Sequence, residues 1–179
     1  VIPPTLVSRN LEVIESFRAE HQDIIIKPLY GFGGHSVYRF KADDANFYTL
    51  LEQFFLSSNE PLMIQPFLPD VLTRDLRVIL MDGAISGVFG RIPADGAIRA
   101  NLRVGGTAVK AELNDHQRHI CERVGAYLQT NGVLFAGLDL IGDYLTEINI
   151  TSPTGIRAVQ TLYGTNPAVD FWNAVEKRF

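Results

Sequence analysis

Cysteine occurs once in the 179 residues, at Cys121, which excludes an internal disulfide framework and suits a reducing cytosol. No apolar run approaches the roughly 20 residues of a membrane-spanning helix, and no signal peptide is visible. Positive charge is not in excess: 16 Lys and Arg against 20 Asp and Glu give a formal charge of −4. That balance argues against a general nucleic-acid or anionic-membrane binder. Internal repeats, low-complexity tracts and long charge runs are missing, so no obvious linker divides the chain. An initiator Met is missing too. The chain opens on the extended segment Val1-Ile2-Pro3-Pro4, which reads as a cut and not a natural beginning.

What is present is ordinary for a globular protein: 46% apolar residues, 20% charged, and 15 glycines. A chain of this length folds as one large domain or two small subdomains and buries roughly 70% of its unfolded surface. Apolar periodicity predicts helices over 8–20 (Leu11, Ile14, Phe17) and 42–56 (Phe47, Leu50, Leu51, Phe54, Phe55). Strands are expected over 23–28, 37–40 and 62–65. Another pair, 76–81 and 84–92, flanks the hairpin signal Asp82-Gly83. Asn114 and Gln117 open a helix with stripe Ile120, Val124 and Leu128, ended by Gly132, and Cys121 sits on that stripe as a core residue. Strands over 133–141 and 145–150 follow, then a tail helix begun by Asn166-Pro167. Hairpins interleaved with helices indicate α+β, without the repeated strand–helix–strand of a doubly wound sheet.

Two places carry chemistry. Lysine is scarce, at 27, 41, 110 and 177, yet Lys27 ends the apolar strand Ile24-Ile25-Ile26. Behind it lie Gly31, Gly33, Gly34 and Ser36, where glycines let backbone amides approach an anion. This is neither a Walker A loop nor a dinucleotide fingerprint. A glycine-rich hairpin with a snorkelling lysine is the plain alternative. The second place is the hairpin 137–149. A three-residue loop at 142–144 sets Ile141 opposite Leu145, Leu138 opposite Ile148 and Asp139 opposite Glu147. Ala136, Leu138, Leu140, Ile148 and Ile150 then form one apolar face. Asp139, Glu147 and Asn149 share the other, beside Gly137. A two-residue turn at Gly142-Asp143 would set Asp139 among apolar partners. Two facing carboxylates repel unless a cation or proton lies between them. With an amide oxygen they are hard ligands for Mg²⁺ or Mn²⁺, phosphates completing the shell. A solvated polar face is the alternative, and glycosidase-type acid–base use is disfavoured without a sugar cleft.

Arg77, Arg91, Arg99 and Arg103 suit bidentate contact with phosphate or carboxylate, though strand arginines are commonly just solvated. The segment 93–107 exceeds the usual length of a structureless connection and reads as a lid or a disordered stretch. His116 and His119 lack a third ligand and read as solvated helix positions.

In order and spacing, four stretches resemble the prokaryotic-type glutathione synthetases, ligases of the ATP-grasp superfamily. They are Ile-Ile-Ile-Lys-Pro-Leu-Tyr-Gly-Phe-Gly-Gly over 24–34, Arg-Ile-Pro over 91–93, Asn-Leu-Arg-Val-Gly-Gly over 101–106, and Gly-Leu-Asp-Leu-Ile-Gly-Asp-Tyr-Leu-Thr-Glu-Ile-Asn-Ile-Thr-Ser-Pro-Thr over 137–154. The ending Asn-Ile-Thr-Ser-Pro is the most specific part. The resemblance implies an ATP-grasp fold: two α+β subdomains with antiparallel sheets enclosing a nucleotide cleft, divided as 1–66 and 67–179. It implies ATP with Mg²⁺ or Mn²⁺, and ligation of γ-glutamylcysteine to glycine through an acyl phosphate. Lys27 would contact phosphates and 31–36 would cover them. Gln65, Phe67 and Leu68 would form the adenine hinge, with Asp75 close to the nucleotide. Arg77, Arg91 and Arg99 would face the transferring phosphoryl group and the substrate carboxylate, with Arg99 in the lid. Asp139, Glu147 and Asn149 would hold the metal, and Asn101, Ser152 and Thr154 the substrate. Tyr30 departs from the Asp usual in the family. An amino-terminal domain and an upstream ATP-contacting lysine are expected to precede Val1. The intact enzyme would be cytoplasmic, would act on small molecules without nucleic-acid or membrane partners, and could self-associate. The competing readings are an ATP-grasp ligase for other carboxylate–amine pairs and a nucleotide-binding module without catalysis.

Overall fold

The computed structural model describes residues 1–30, 36–95, 102 and 105–178. The chain forms two compact units, Ile2–Leu68 and Pro69–Phe179, with Val1 joining the second.

The amino-terminal unit is a four-stranded antiparallel sheet, ordered β1 (Leu6–Ser8), β4 (Leu62–Pro66), β2 (Ile24–Pro28) and β3 (Tyr38–Phe40). Two helices, α1 (Leu11–His21) and α2 (Phe47–Ser57), complete it. Asn10 starts α1 by accepting a hydrogen bond from Val13 N–H, and Arg18 in its last turn complements the helix dipole. Strand alternation decides the packing. Ile24, Ile26, Leu62, Ile64 and Phe40 point one way and are buried with Ile14, Phe47 and Leu51 of the helices. Ile25, Lys27, Arg39, Met63 and Gln65 share the opposite face in register. Ser8, expected to begin the helix, instead ends β1, because the extended Pro3-Pro4 segment runs on into an edge strand.

The carboxyl-terminal unit is a five-stranded antiparallel sheet, ordered β7 (Thr107–Val109), β6 (Ala84–Ile92), β5 (Asp75–Met81), β8 (Phe135–Ile141) and β9 (Tyr144–Asn149). All seven residues of β5 are buried, as befits its central place. Helix α3 (Asp115–Thr130) packs Ile120, Cys121 and Leu128 against Leu76, Val78, Leu80, Ala136, Leu138 and Leu140. Its capping box is complete: Asn114 accepts from Gln117 N–H and Gln117 accepts from Asn114 N–H. The Gln117 amide also donates to Gly142 O (2.7 Å), tying the helix start to the β8–β9 turn. The Asp82-Gly83 turn sits so close to Gly125 of α3 that a side chain there would overlap the Gly83 carbonyl.

On the other sheet face, α4 (Ile156–Tyr163) and α5 (Pro167–Glu176) cover only one end, where Ile79, Met81, Phe89 and Val159 are buried. Helix α4 was not expected from the sequence. It follows Gly155 at φ 129° with no side-chain cap, so it lacks the usual start signal. Strand β7, at the end of the 93–107 segment, is three residues long and likewise unannounced.

Cys121 is fully buried, and burial pushes its thiol up to about 11. In native buffer the protein should resist a thiol-reactive dye and label fully in denaturant. Rapid native labelling would contradict the packing of α3.

Candidate functional site

The end of the carboxyl-terminal sheet beyond α4 and α5 holds two buried arginines and two buried aspartates. Arg77, Asp75 and Arg91 are 7%, 4% and 5% exposed, and Asp139 3%. Arg77 Nε and Nη2 grip the two carboxylate oxygens of Asp139, the second at 2.9 Å, while Nη1 donates to Thr154 O at 3.0 Å. Arg91 donates from Nε to Asp75 Oδ1 at 2.9 Å and from Nη1 to Asp139 Oδ2 at 3.2 Å. Each buried charge therefore touches an opposite one, the condition under which buried charges are tolerated.

Register builds this lattice. Arg77 lies opposite Asp139, and Asp75 opposite Arg91. In both hairpins a β-bulge shifts the register after the turn, between Ile79 and Leu80 pairs in one and between Asp139 and Leu140 pairs in the other. The second corrects the expectation of a three-residue loop: Ile141 pairs with Tyr144, not Leu145, across a two-residue Gly142-Asp143 turn. The extra residue, Thr146, is absorbed by the bulge, its hydroxyl donating to Asp139 O at 3.1 Å. Beyond it Asp139 pairs with Glu147 and Gly137 with Asn149, so the three oxygen-bearing side chains share one face. The expected apolar face is also corrected at its outer edge. Ile148 and Ile150 are 43% and 53% exposed, because β9 is an edge strand.

Gly137 leaves the room this face needs. A Cβ there would stand 3.0 Å from Pro153 Cβ and 3.2 Å from Arg77 Nη1. Glu147 is exposed and Asn149 half-buried, and neither side chain makes a hydrogen bond or ion pair among the described residues. Asp139 Oδ1 receives only Arg77 Nε and keeps acceptor capacity. The donor set is two carboxylates and an amide, which suits a hard divalent cation whose shell is completed by ligand oxygens. Among the described residues no cluster of three or more His, Cys, Asp or Glu could hold a metal alone.

The amino-terminal unit gathers the other expected residues on its helix-free face. Lys27 is half-buried opposite Met63, and Gln65 is buried opposite Ile25. The Gln65 amide donates to Thr5 Oγ1 at 2.9 Å, a structural tie that leaves its side chain committed. Phe67 N–H donates to Asp23 O (2.8 Å) and Pro66 has no N–H, whereas Leu68 N–H has no partner among the described residues. Ser36 stands exposed at φ 56°. Gly31, Gly33, Gly34, Arg99 and Asn101 lie outside the described residues. Ser152 and Thr154 are exposed, and only the Thr154 carbonyl has a contact with the lattice. Sequence reasoning missed the Asp75–Arg91 and Asp139–Arg77 ion pairs. Counting back from Asp82-Gly83 without a bulge puts Gly90, not Arg91, across from Asp75.

Burial pushes the Asp75 carboxyl up to about 6, against the pull of Arg91, while Asp139 and Asp75 together outweigh burial and raise Arg91. A raised acid binds protons in the folded state between its ordinary 3.8 and about 6, so its contribution to stability grows as pH falls through 6. The stability advantage of wild type over Asp75→Asn should therefore widen from pH 7 to pH 4.5 in urea titrations. A constant difference would contradict it. Asp139→Asn removes the partner shared by both arginines and should cost about 3–5 kcal/mol, more than Asp75→Asn, in the same measurement.

A family model described as the ATP-grasp domain of prokaryotic glutathione synthetase matches residues 1–164. The glutathione synthetase of Rhodopseudomonas palustris is 46% identical over 178 residues, 99% of this chain and 57% of that protein. That of Pseudomonas aeruginosa is 44% identical over 164 residues, 91% of this chain and 52% of that protein. The chain thus spans little more than half the length of these curated relatives. Among solved structures, D-cycloserine synthetase DcsG superposes with a TM-score of 0.74 at 19% identity, covering 99% of this chain and 65% of that one. D-alanyl-alanine synthetase A from Vibrio cholerae gives 0.67 at 16%, covering 98% and 60%. The ligase PsnB, solved with a precursor variant, Mg and ADP, gives 0.70 at 17%, covering 98% and 53%. Two antiparallel sheets with helices, the order of motifs along the chain and these likenesses agree: the fold is ATP-grasp, and the chain belongs to the prokaryotic glutathione synthetase ATP-grasp domain family.

Proposed function

We propose that this chain is the nucleotide-binding and phosphoryl-transfer part of a cytosolic glutathione synthetase. It would bind Mg-ATP and help join the carboxyl of γ-glutamylcysteine to the amine of glycine through an acyl phosphate. The observation that carries the reading is the shared face of Asp139, Glu147 and Asn149 beside the buried Arg77 and Arg91. Phosphoryl transfer to a carboxylate needs charge neutralisation on both reactants more than it needs an acid or a base. That face supplies oxygen donors for a hard cation next to guanidinium groups for an anion, which is the required combination.

The roles divide by residue. Lys27, Ser36 and the glycines at 31, 33 and 34 hold phosphate oxygens. Phe67 offers an apolar ring to the base, and Leu68 N–H is the hinge donor left for a ring nitrogen. Gln65 serves indirectly, by fixing the strand end through Thr5. Asp139, Glu147 and Asn149 hold the magnesium ion, which when bound neutralises phosphate charge. Arg77 and Arg91, with Arg99, orient the transferring phosphoryl group and the substrate carboxylate. Asp75 holds Arg91 in place for that task. Asn101, Ser152 and Thr154 contact the peptide substrate.

Glu147→Gln keeps the size of the side chain and removes its charge. Calorimetric titration with ATP should show magnesium-dependent binding to wild type, weakened by roughly a hundredfold in Glu147→Gln. ADP release from the full-length enzyme, assayed against a panel of carboxylates and amines, should be highest with γ-glutamylcysteine and glycine. Preference for another pair would reassign the substrate. Nucleotide binding that does not depend on magnesium in wild type would overturn the metal face.

A further inference from the structure

The helix-free face of the amino-terminal sheet carries a closed arrangement of three residues that the roles above do not use. Arg39 on β3 donates to both carboxylate oxygens of Asp23, Nε to Oδ1 at 2.9 Å and Nη2 to Oδ2 at 2.6 Å. The same guanidinium lies over the Phe67 ring, 3.5 Å from its centroid. Phe67 N–H, in turn, donates to the backbone carbonyl of Asp23. Asp23 therefore holds Phe67 at two points: directly through the backbone, and through the plane of Arg39. All three are half-buried. Phe67 lies one residue beyond the end of β4, where that one backbone hydrogen bond holds its main chain but does not set its ring. Without the guanidinium its ring could take other rotamers. A charge held by two parallel hydrogen bonds is a rigid plate on which an aromatic ring can stack.

We infer that Arg39 and Asp23 are positioning residues that fix the Phe67 ring as a wall of the nucleobase subsite. The inference rests on the nucleotide reading above. Neither residue is among those assigned to phosphate, so their effect falls on the part of the ligand that carries a base. Arginine is specifically required. Lysine keeps a positive charge over the ring but cannot make the two-pronged contact with Asp23 that sets its plane.

The test compares ATP with inorganic tripolyphosphate, which has phosphates and no base, in calorimetric titrations with magnesium present. Arg39→Ala should weaken ATP binding about tenfold, the upper range of one cation–π contact, and leave tripolyphosphate binding unchanged. Arg39→Lys should fall between, and Phe67→Ala should cost as much as Arg39→Ala. The double variant should be no worse than either single one, since both remove the same wall. Equal losses for both ligands would overturn the inference, because they report general damage to the sheet. So would additive losses in the double variant. Wild type that binds tripolyphosphate but not ATP overturns the nucleotide reading as well. Variants that bind ATP like wild type overturn the inference alone. Should Arg39→Ala not fold, Asp23→Asn keeps the side-chain shape, loses the charge and carries the same comparison.

Discussion

The grip of Arg77 on Asp139 is the contact on which the carboxyl-terminal unit's polar end depends. Both side chains are nearly inaccessible, and an ionised group in that setting costs several kcal/mol unless it is paired. Asp139 also accepts from Arg91, and Arg91 donates to Asp75 as well, so two positive and two negative charges sum to zero inside the sheet. The lattice joins β5, β6 and β8, and through Thr154 O it reaches the segment leading into α4. Well-packed apolar side chains of similar volume hold strands as firmly as a buried ion-pair lattice.

The bulges explain how ordinary strand alternation yields that lattice. In a hairpin with a two-residue turn and no bulge, residues beyond the turn alternate strictly, and Glu147 would share the face of Leu138. One extra residue in β9 reverses the outer half of the strand. The inner half keeps Leu145 in the core beside Leu140, and the outer half presents Glu147 and Asn149 beside Asp139. The β5–β6 hairpin uses the same device to bring Arg91 across from Asp75. The pinning of Thr146 to the Asp139 backbone carbonyl places the irregularity at the residue that bears the carboxylate.

This is also why sequence reading recovered the acidic face but not the turn. Segregation of apolar and polar residues fixes which side chains must share a face, and it reported Asp139 opposite Glu147 correctly. It is indifferent to whether the extra residue lies in the loop or in a bulge, since either restores the same outer register. Ion pairs are less legible still. Asp75 and Arg91 stand sixteen positions apart, and their pairing depends on a bulge that no residue type announces. Strong local signals read well: the Asn114–Gln117 box, the Asp82-Gly83 turn and the Asn166-Pro167 cap. Elements held by tertiary contacts alone, β1, β7 and α4, did not. In the amino-terminal unit the anomaly of Lys27 at the end of an isoleucine strand pointed to the helix-free face. The Asp23–Arg39–Phe67 arrangement on that face needed strand order to be seen, because β3 and β4 lie on opposite sides of β2.

A guanidinium carries five N–H donors, and this decides whether the lattice can serve both stability and chemistry. Arg77 uses three of them, two on Asp139 and one on Thr154 O. Arg91 also uses three, two on Asp75 and one on Asp139. Among the described residues each therefore keeps two N–H groups beyond those that hold the sheet together. Under the proposed function, an incoming phosphate or carboxylate is received on those donors while the carboxylates stay where they are. A lysine offers three donors in all and no fixed plane, so at either position holding the fold and receiving an anion would compete. Arginine at both positions fits the proposed function: the group that neutralises Asp139 still has donors to give.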